Sequence, residues 1–152
     1  MTKQRTLLYG IFICGVFIYI DRWFKWQSLH DWSLSVLINS KLGWLPFLND
    51  GVAFGLPVPM AWVKFITVPL IVGMGYFMAR EYRRGPNMSE WKLIGFMAVI
   101  SGAVSNLVDR LVYNKTIDYI LIFTGVINLA DVIIIAGFLL LYFTHKRLPT
   151  AT

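Results

Sequence analysis

Residues 91–118 read WKLIGFMAVISGAVSNLVDRLVYNKTID. From Leu93 to Val108 nothing is charged, and then aspartates arrive at Asp109 and Asp118. A run of this length with so few charges predicts a helix that crosses a bilayer. Within it, Ser101 and Ser105 lie four apart, as do Gly102 and Asn106, so each pair stacks on one side of the helix. Small residues at that spacing admit a close neighbouring helix. The same stretch then places carboxylates at the edge of a segment made for lipid, where desolvation is costly.

Working outward, three more apolar runs match the first. The four predicted helices cover about 6–24, 60–79, 91–108 and 126–143. The first follows Lys3 and Arg5 but lacks a small-x-small cleavage site, so it reads as a retained helix ended by Asp21-Arg22. Of the 152 residues, 57% are hydrophobic and 14% charged, well below the ~25% charged of a typical soluble domain. So much apolar surface cannot fit in one small core, and lipid must solvate it. Residues 1–152 are read as one integral-membrane domain, without internal repeats.

Orientation follows from the basic residues in the connections. Lys3, Arg5, Arg80, Arg83, Arg84, Lys92, Lys146 and Arg147 fall on one side; Arg22, Lys25, Lys41, Arg110 and Lys115 fall on the other. That bias puts both termini in the cytoplasm. The aspartates Asp21, Asp31, Asp50, Asp109, Asp118 and Asp131 then gather at the outer side, and Glu81 and Glu90 at the inner. The net charge of +6 reads as anchoring to anionic membrane lipid, and no nucleic-acid-binding motif is present.

The outer segment 21–59 is rich in tryptophan, which favours the headgroup level. Ser35–Asn39 and Trp44–Leu48 flank a Lys41-Leu42-Gly43 turn and predict a strand pair lying on the membrane, with Pro46 making the second an edge strand. Thr116–Phe123 is β-branched and aromatic and predicts a further strand.

The chemistry rests with the acids. Asp21 and Lys25 are spaced for an i,i+4 ion pair. Asn106 and Asp109 are three apart, and Asp109 reads as a structural acid paired with the adjacent Arg110. Asn128 and Asp131 repeat the Asn-x-x-Asp spacing, and no cation in the last helix is near enough to neutralise Asp131. Two such carboxylates facing each other in low dielectric share a proton. One can then deprotonate water while its partner protonates a carbonyl oxygen. Spacing alone leaves open which two of Asp109, Asp118 and Asp131 form the pair.

Other chemistries are poorly supplied. His30 and His145 lie at opposite ends, so no two histidines can share a metal ion, and no phosphate loop or Gly-x-Ser-x-Gly is present. The single Cys14 excludes a disulfide within one chain. A small transporter or proton relay would use buried acids too, but it needs one near the midplane. A non-catalytic lipopeptide-binding membrane protein would share the outer layout.

Five ordered blocks carry a resemblance: Asp21-x-x-x-Lys25, Asn49-x-Gly51-x-Ala53-Phe54, Asn106-x-x-Asp109-Arg110, Ile117-Asp118-Tyr119 and Asn128-x-Ala130-Asp131. Together they resemble the bacterial lipoprotein signal peptidases, signal peptidase II. The resemblance implies a mainly α membrane protein with four transmembrane helices and a small outer-face β-cradle. It implies an aspartyl endopeptidase of the bacterial inner membrane, monomeric and without cofactor or metal. It implies that Asp118 and Asp131 are the catalytic pair, supported by Asp21, Lys25, Asn49, Gly51, Ala53, Phe54, Asn106, Asp109, Arg110 and Asn128. The implied substrate is a prolipoprotein carrying diacylglycerol, cut before its lipidated cysteine. Arg22 stands where that family commonly has glutamine, and Ser101 and Ser105 where it commonly has glycine.

Overall fold

A computed structural model gives the architecture and describes residues 3–31, 33, 35–51, 58–83 and 89–146. In chain order the elements are α1 (Lys3–His30), β1 (Val36–Asn39), β2 (Leu42–Asn49), α2 (Met60–Arg83), α3 (Glu90–Tyr113), β3 (Thr116–Ile122), β4 (Gly125–Ile127) and α4 (Leu129–Lys146). The molecule is mainly helical, with a small antiparallel sheet of order β1-β2-β3-β4. α1, α2 and α3 are each long and apolar enough to cross a membrane, and α4 is a shorter apolar helix.

α3 is the hub. It packs against α4 most extensively, against α1 and α2 on its other sides, and it shares a border with β3. Its small residues explain the close approach to α4. A methyl group on Gly102 would stand 2.6 Å from the Ala130 carbonyl oxygen, and one on Gly137 would stand 2.8 Å from the Gly95 oxygen. Backbones this near gain dispersion contacts that lipid cannot supply. Ser101, Gly102, Ser105 and Asn106 are all buried, as their four-residue spacing implies.

The outward faces are apolar, with Leu8, Phe12, Phe65 and Val72 all more than 60% exposed. Water would not tolerate such faces over whole helices, whereas hydrocarbon does. At 1.5 Å per residue, the 24 residues of α3 extend about 36 Å. That exceeds the ~30 Å hydrocarbon thickness, so α3 is long enough to span it.

Several predicted boundaries move. α1 does not stop at Asp21-Arg22 but continues to His30. Asp21 and Lys25 turn inward and neutralise one another, so the helix has no need to end there. α3 runs past Val108 to Tyr113, capped by Asn114 in the left-handed region at φ 57°. α4 begins at Leu129, not at 126, because Gly125–Ile127 pairs with Ile120–Ile122 as β4.

The strand pair is present, β1 with β2, yet β2 is not an edge. It lies between β1 and β3. Pro46 is accommodated because the β2–β3 register shifts between Trp44 and Phe47, so the missing proline N–H falls at a bulge.

Candidate active site

The residues Thr116–Tyr119 at the start of β3 are all buried, and they carry Asp118 toward the end of α4. Asp118 accepts two amide hydrogen bonds, from Asn128 Nδ2 on Oδ1 at 2.6 Å and from Asn49 Nδ2 on Oδ2 at 3.0 Å. It is 1% exposed. Burial pushes its carboxyl up from the usual range and the charge of Asp131 adds to that. The two asparagine hydrogen bonds and Lys25 pull the other way, and the balance lies at about 7.

Asp131 sits in the first turn of α4. Its Oδ1 accepts from Asn106 Nδ2 at 2.8 Å and its Oδ2 from the Asn128 backbone N–H at 3.2 Å. The Asp131 N–H in turn donates to Asn128 Oδ1 at 3.0 Å. This reciprocal arrangement is a capping box with aspartate in the usual glutamate place. It explains the Asn-x-x-Asp spacing: the cap starts the helix and aims the carboxylate.

Each asparagine has its amide orientation set by an unambiguous donor. Lys25 Nζ, which can only donate, holds Asn106 Oδ1 at 2.9 Å and leaves the Asn106 NH2 for Asp131. The Gly51 N–H holds Asn49 Oδ1 at 3.0 Å and leaves its NH2 for Asp118. The Asp131 N–H does the same for Asn128, whose NH2 serves Asp118. Both carboxylates are thus met by NH2 groups that cannot turn away.

Behind them lies a buried ionic cluster. Lys25 Nζ contacts Asp21 Oδ2 at 3.0 Å and Asp109 Oδ2 at 2.7 Å, and Arg22 Nη2 reaches Asp109 Oδ1 at 2.6 Å. Asp109 is therefore paired, as expected of a structural acid, but with Arg22 and Lys25 of α1. Arg110 is not its partner. Neighbours along a helix point about 100° apart, so Arg110 turns to the other side. There its Nε donates to Thr116 Oγ1 at 3.2 Å and its Nη1 to Thr67 Oγ1 at 3.4 Å.

Asn49, Asn106, Arg110, Asp118 and Asp131 all line one groove of about 490 Å³. Its walls descend between α2 and α4 over α3, through Leu70, Met74, Ile134 and Phe138. α2 and α4 scarcely touch each other, so the groove is open on that side. A polar head over an apolar trough suits a ligand that is apolar along most of its length and polar at one end.

Of the expected site residues, Asp21, Lys25 and Asp109 form the cluster behind, Asn128 joins the two acids, and Gly51 orients Asn49. Ala53 and Phe54 lie outside the described residues. Sequence reasoning missed Arg22 as a partner of Asp109, and missed Thr67 and Thr116 as the acceptors for Arg110. Nothing in their spacing signals a contact made across elements.

The family model described as signal peptidase (SPase) II matches residues 13–146. The lipoprotein signal peptidase of Mesorhizobium japonicum is 32% identical over 138 residues, covering 83% of this chain and 78% of that one. That of Listeria monocytogenes is 22% identical over 142 residues, covering 88% and 90%. Two solved structures of a bacterial membrane enzyme, obtained in meso at 2.3 and 1.9 Å, share the fold with TM-scores of 0.75 and 0.77. Their identities are 19% and 18%, over 94% or more of each chain. The chain belongs to the signal peptidase II family.

Proposed function

We propose that this protein is an aspartyl endopeptidase that removes the signal peptide from diacylglyceryl-modified prolipoproteins by cutting before the lipidated cysteine. The observation that carries the reading is that Asp118 and Asp131 line the same groove, with Asn128 hydrogen-bonded to both. The names of the relatives support a lipoprotein substrate.

In this reading Asp118, whose carboxyl burial raises to about 7, serves as the acid, and Asp131, held by the Asn106 NH2 and the Asn128 N–H, serves as the base. Asp131 takes a proton from a water between them, and the hydroxide adds to the scissile carbonyl carbon. Asp118 gives its proton to the carbonyl oxygen. When the tetrahedral intermediate collapses, Asp131 passes its proton to the leaving nitrogen, Asp118 takes back the hydroxyl proton as the carbonyl re-forms, and the C–N bond breaks. Arg110, steadied by the Thr116 and Thr67 hydroxyls, lines the groove as a donor for the substrate backbone.

The apolar trough below receives the signal helix from the bilayer, and the acyl chains stay in lipid beside it. Residues 1–152 act as one domain and as a monomer in the bacterial inner membrane. Both termini are cytoplasmic, and the acids stand at the outer face.

The test uses the purified full chain in detergent micelles with two precursors, one carrying the diacylglyceryl cysteine and one unmodified. The reading expects cleavage before the cysteine of the lipidated precursor alone. Equal cleavage of both, or of neither, overturns it.

A further inference from the structure

Asp131 is reached from the ionic cluster by two separate routes. The first passes through side chains, from Lys25 to Asn106 to Asp131. The second passes through the phenol of Tyr119, whose O–H donates to Asp21 Oδ1 at 3.0 Å. The same oxygen accepts the Leu129 backbone N–H at 3.1 Å. Leu129 is the first residue of α4 and lies two before Asp131.

The first N–H groups of any helix lack partners inside it. At Leu129 the partner comes from β3, and that oxygen is itself anchored to a carboxylate of α1. Asp21 cannot drift, because its Oδ2 accepts a hydrogen bond from Ser105 of α3 and pairs with Lys25. Tyr119 is 1% exposed, and its ring stands 4.9 Å from Trp44 and 5.6 Å from Phe24. The hydroxyl is thus fixed at both ends, by its ring and by its two partners.

We infer that Tyr119 is a positioning residue for Asp131, its hydroxyl setting the place of the first turn of α4 against the buried cluster. The capping box fixes Asp131 relative to Asn128, within one turn. Tyr119 fixes that whole turn relative to α1 and β3, the strand that carries Asp118. Two carboxylates that share a water must hold their separation closely, because small displacements of catalytic groups are costly in rate. The hydroxyl supplies that register without touching substrate. Its catalytic consequence rests on the proposed pairing of Asp118 with Asp131; its structural part does not.

The test is Tyr119→Phe in the full chain, which keeps the ring stack and removes one oxygen. A single hydrogen-bonding atom lost at this distance from the reaction should lower kcat about tenfold, with KM within about twofold. Hydrogen exchange at the Leu129 and Asp131 amides should accelerate in the same variant, a readout that needs no activity. Leu93→Ala removes a buried apolar contact at the other end of α3 and leaves the Tyr119 ring and hydroxyl alone, so it should lower the melting temperature while leaving kcat unchanged. Unaltered exchange at both amides in Tyr119→Phe overturns the inference, and so does an equal loss of kcat in Leu93→Ala. If the unsubstituted chain cleaves no lipidated precursor, the proposed activity fails, and the amide exchange still decides whether Tyr119 holds the turn.

Discussion

Asn128 and Asp131 cap one another across the first turn of α4, each donating its backbone N–H to the other's side-chain oxygen, at 3.2 and 3.0 Å. The NH2 of Asn128 is left over from this exchange and binds Asp118. One residue therefore starts the helix, aims one acid and steadies the other. The two jobs are separable. Asn128→Ser keeps a good cap but has no NH2, whereas Asn128→Ala keeps neither. The serine variant should melt within a few degrees of the parent yet lose about 10–100-fold in kcat. The alanine variant should lose a further ~1 kcal/mol of stability. Equal activity in the parent and the serine variant would remove Asn128 from the chemistry.

The pH dependence has a defined sign. Burial, then the charge of Asp131, raise the Asp118 carboxyl to about 7. An acid in this role works only while it holds its proton, so turnover should fall as pH rises through about 7. The Asn49 hydrogen bond stabilises the charged form. Asn49→Ala should therefore move the alkaline limb of kcat to higher pH, measured between about pH 5 and 9. For stability, the folded chain keeps this proton where an unfolded chain has released it. The contribution of Asp118 is thus fully present below about pH 4 and gone above about pH 7. An alkaline limb that does not move in Asn49→Ala would disconnect Asn49 from Asp118.

The ionic cluster should respond unequally to loss of its two cations. Lys25 is 1% exposed and contacts both Asp21 and Asp109. Lys25→Met removes the buried cation between them, leaving Asp109 with Arg22 and Asp21 with only Arg22 at 3.7 Å, and should cost about 3–5 kcal/mol. It also frees the Asn106 amide to turn its oxygen toward Asp131, so activity should fall with stability. Arg22→Gln leaves Asp109 with Lys25 at 2.7 Å and should cost only about 1–2 kcal/mol. Thermal unfolding in one detergent compares them, and a larger loss for Arg22→Gln would contradict the assignment.

Helix spacing gives another test. In Gly102→Ala the new methyl group meets the Ala130 carbonyl oxygen at 2.6 Å and Ile134 Cγ1 at 2.7 Å. α4 must retreat just where Asp131 begins, so stability should drop by about 1–3 kcal/mol and kcat should fall with it. Gly73→Ala, with nothing within 4 Å, should be neutral or slightly stabilising. Similar melting temperatures for the two variants would mean that α3 and α4 are not held this close.

The elements legible in the sequence are those with long-range regularity. Leu93–Val108 is uncharged, and a membrane helix follows from length alone. The ends of helices were harder, because they depend on contacts made elsewhere. Asp21-Arg22 looks like a stop in one dimension, yet α3 supplies Asp109 to Arg22 and Lys25, and α1 continues. Val126 and Ile127 look like the start of a helix, but a tight turn at Phe123-Thr124 folds them back as β4. Asn128-x-x-Asp131 held the boundary all along, as a capping box.

The acids themselves were visible as carboxylates in a costly place, and resemblance chose which two to pair. Their supporting contacts were not visible. Tyr119 and Ser105 reach Asp21 across sequence separations of 98 and 84 residues, and no periodicity records that. Arg110 sits beside Asp109 in sequence and faces away from it in space, because a helix turns each neighbour about 100°.

The central claim is that Asp118 and Asp131 act as one catalytic pair, and replacing each carboxylate singly measures it most directly. Asp118→Asn and Asp131→Asn keep the size of the side chain and remove the proton chemistry. Cleavage of a lipidated precursor by purified protein in micelles should fall by about 10²–10⁴-fold or more in either variant. The double variant should be no worse than the singles, because a unit lost once cannot be lost again. Melting temperatures close to the parent would show that the fold remains. Cleavage within about twofold of the parent by either folded variant would contradict the account.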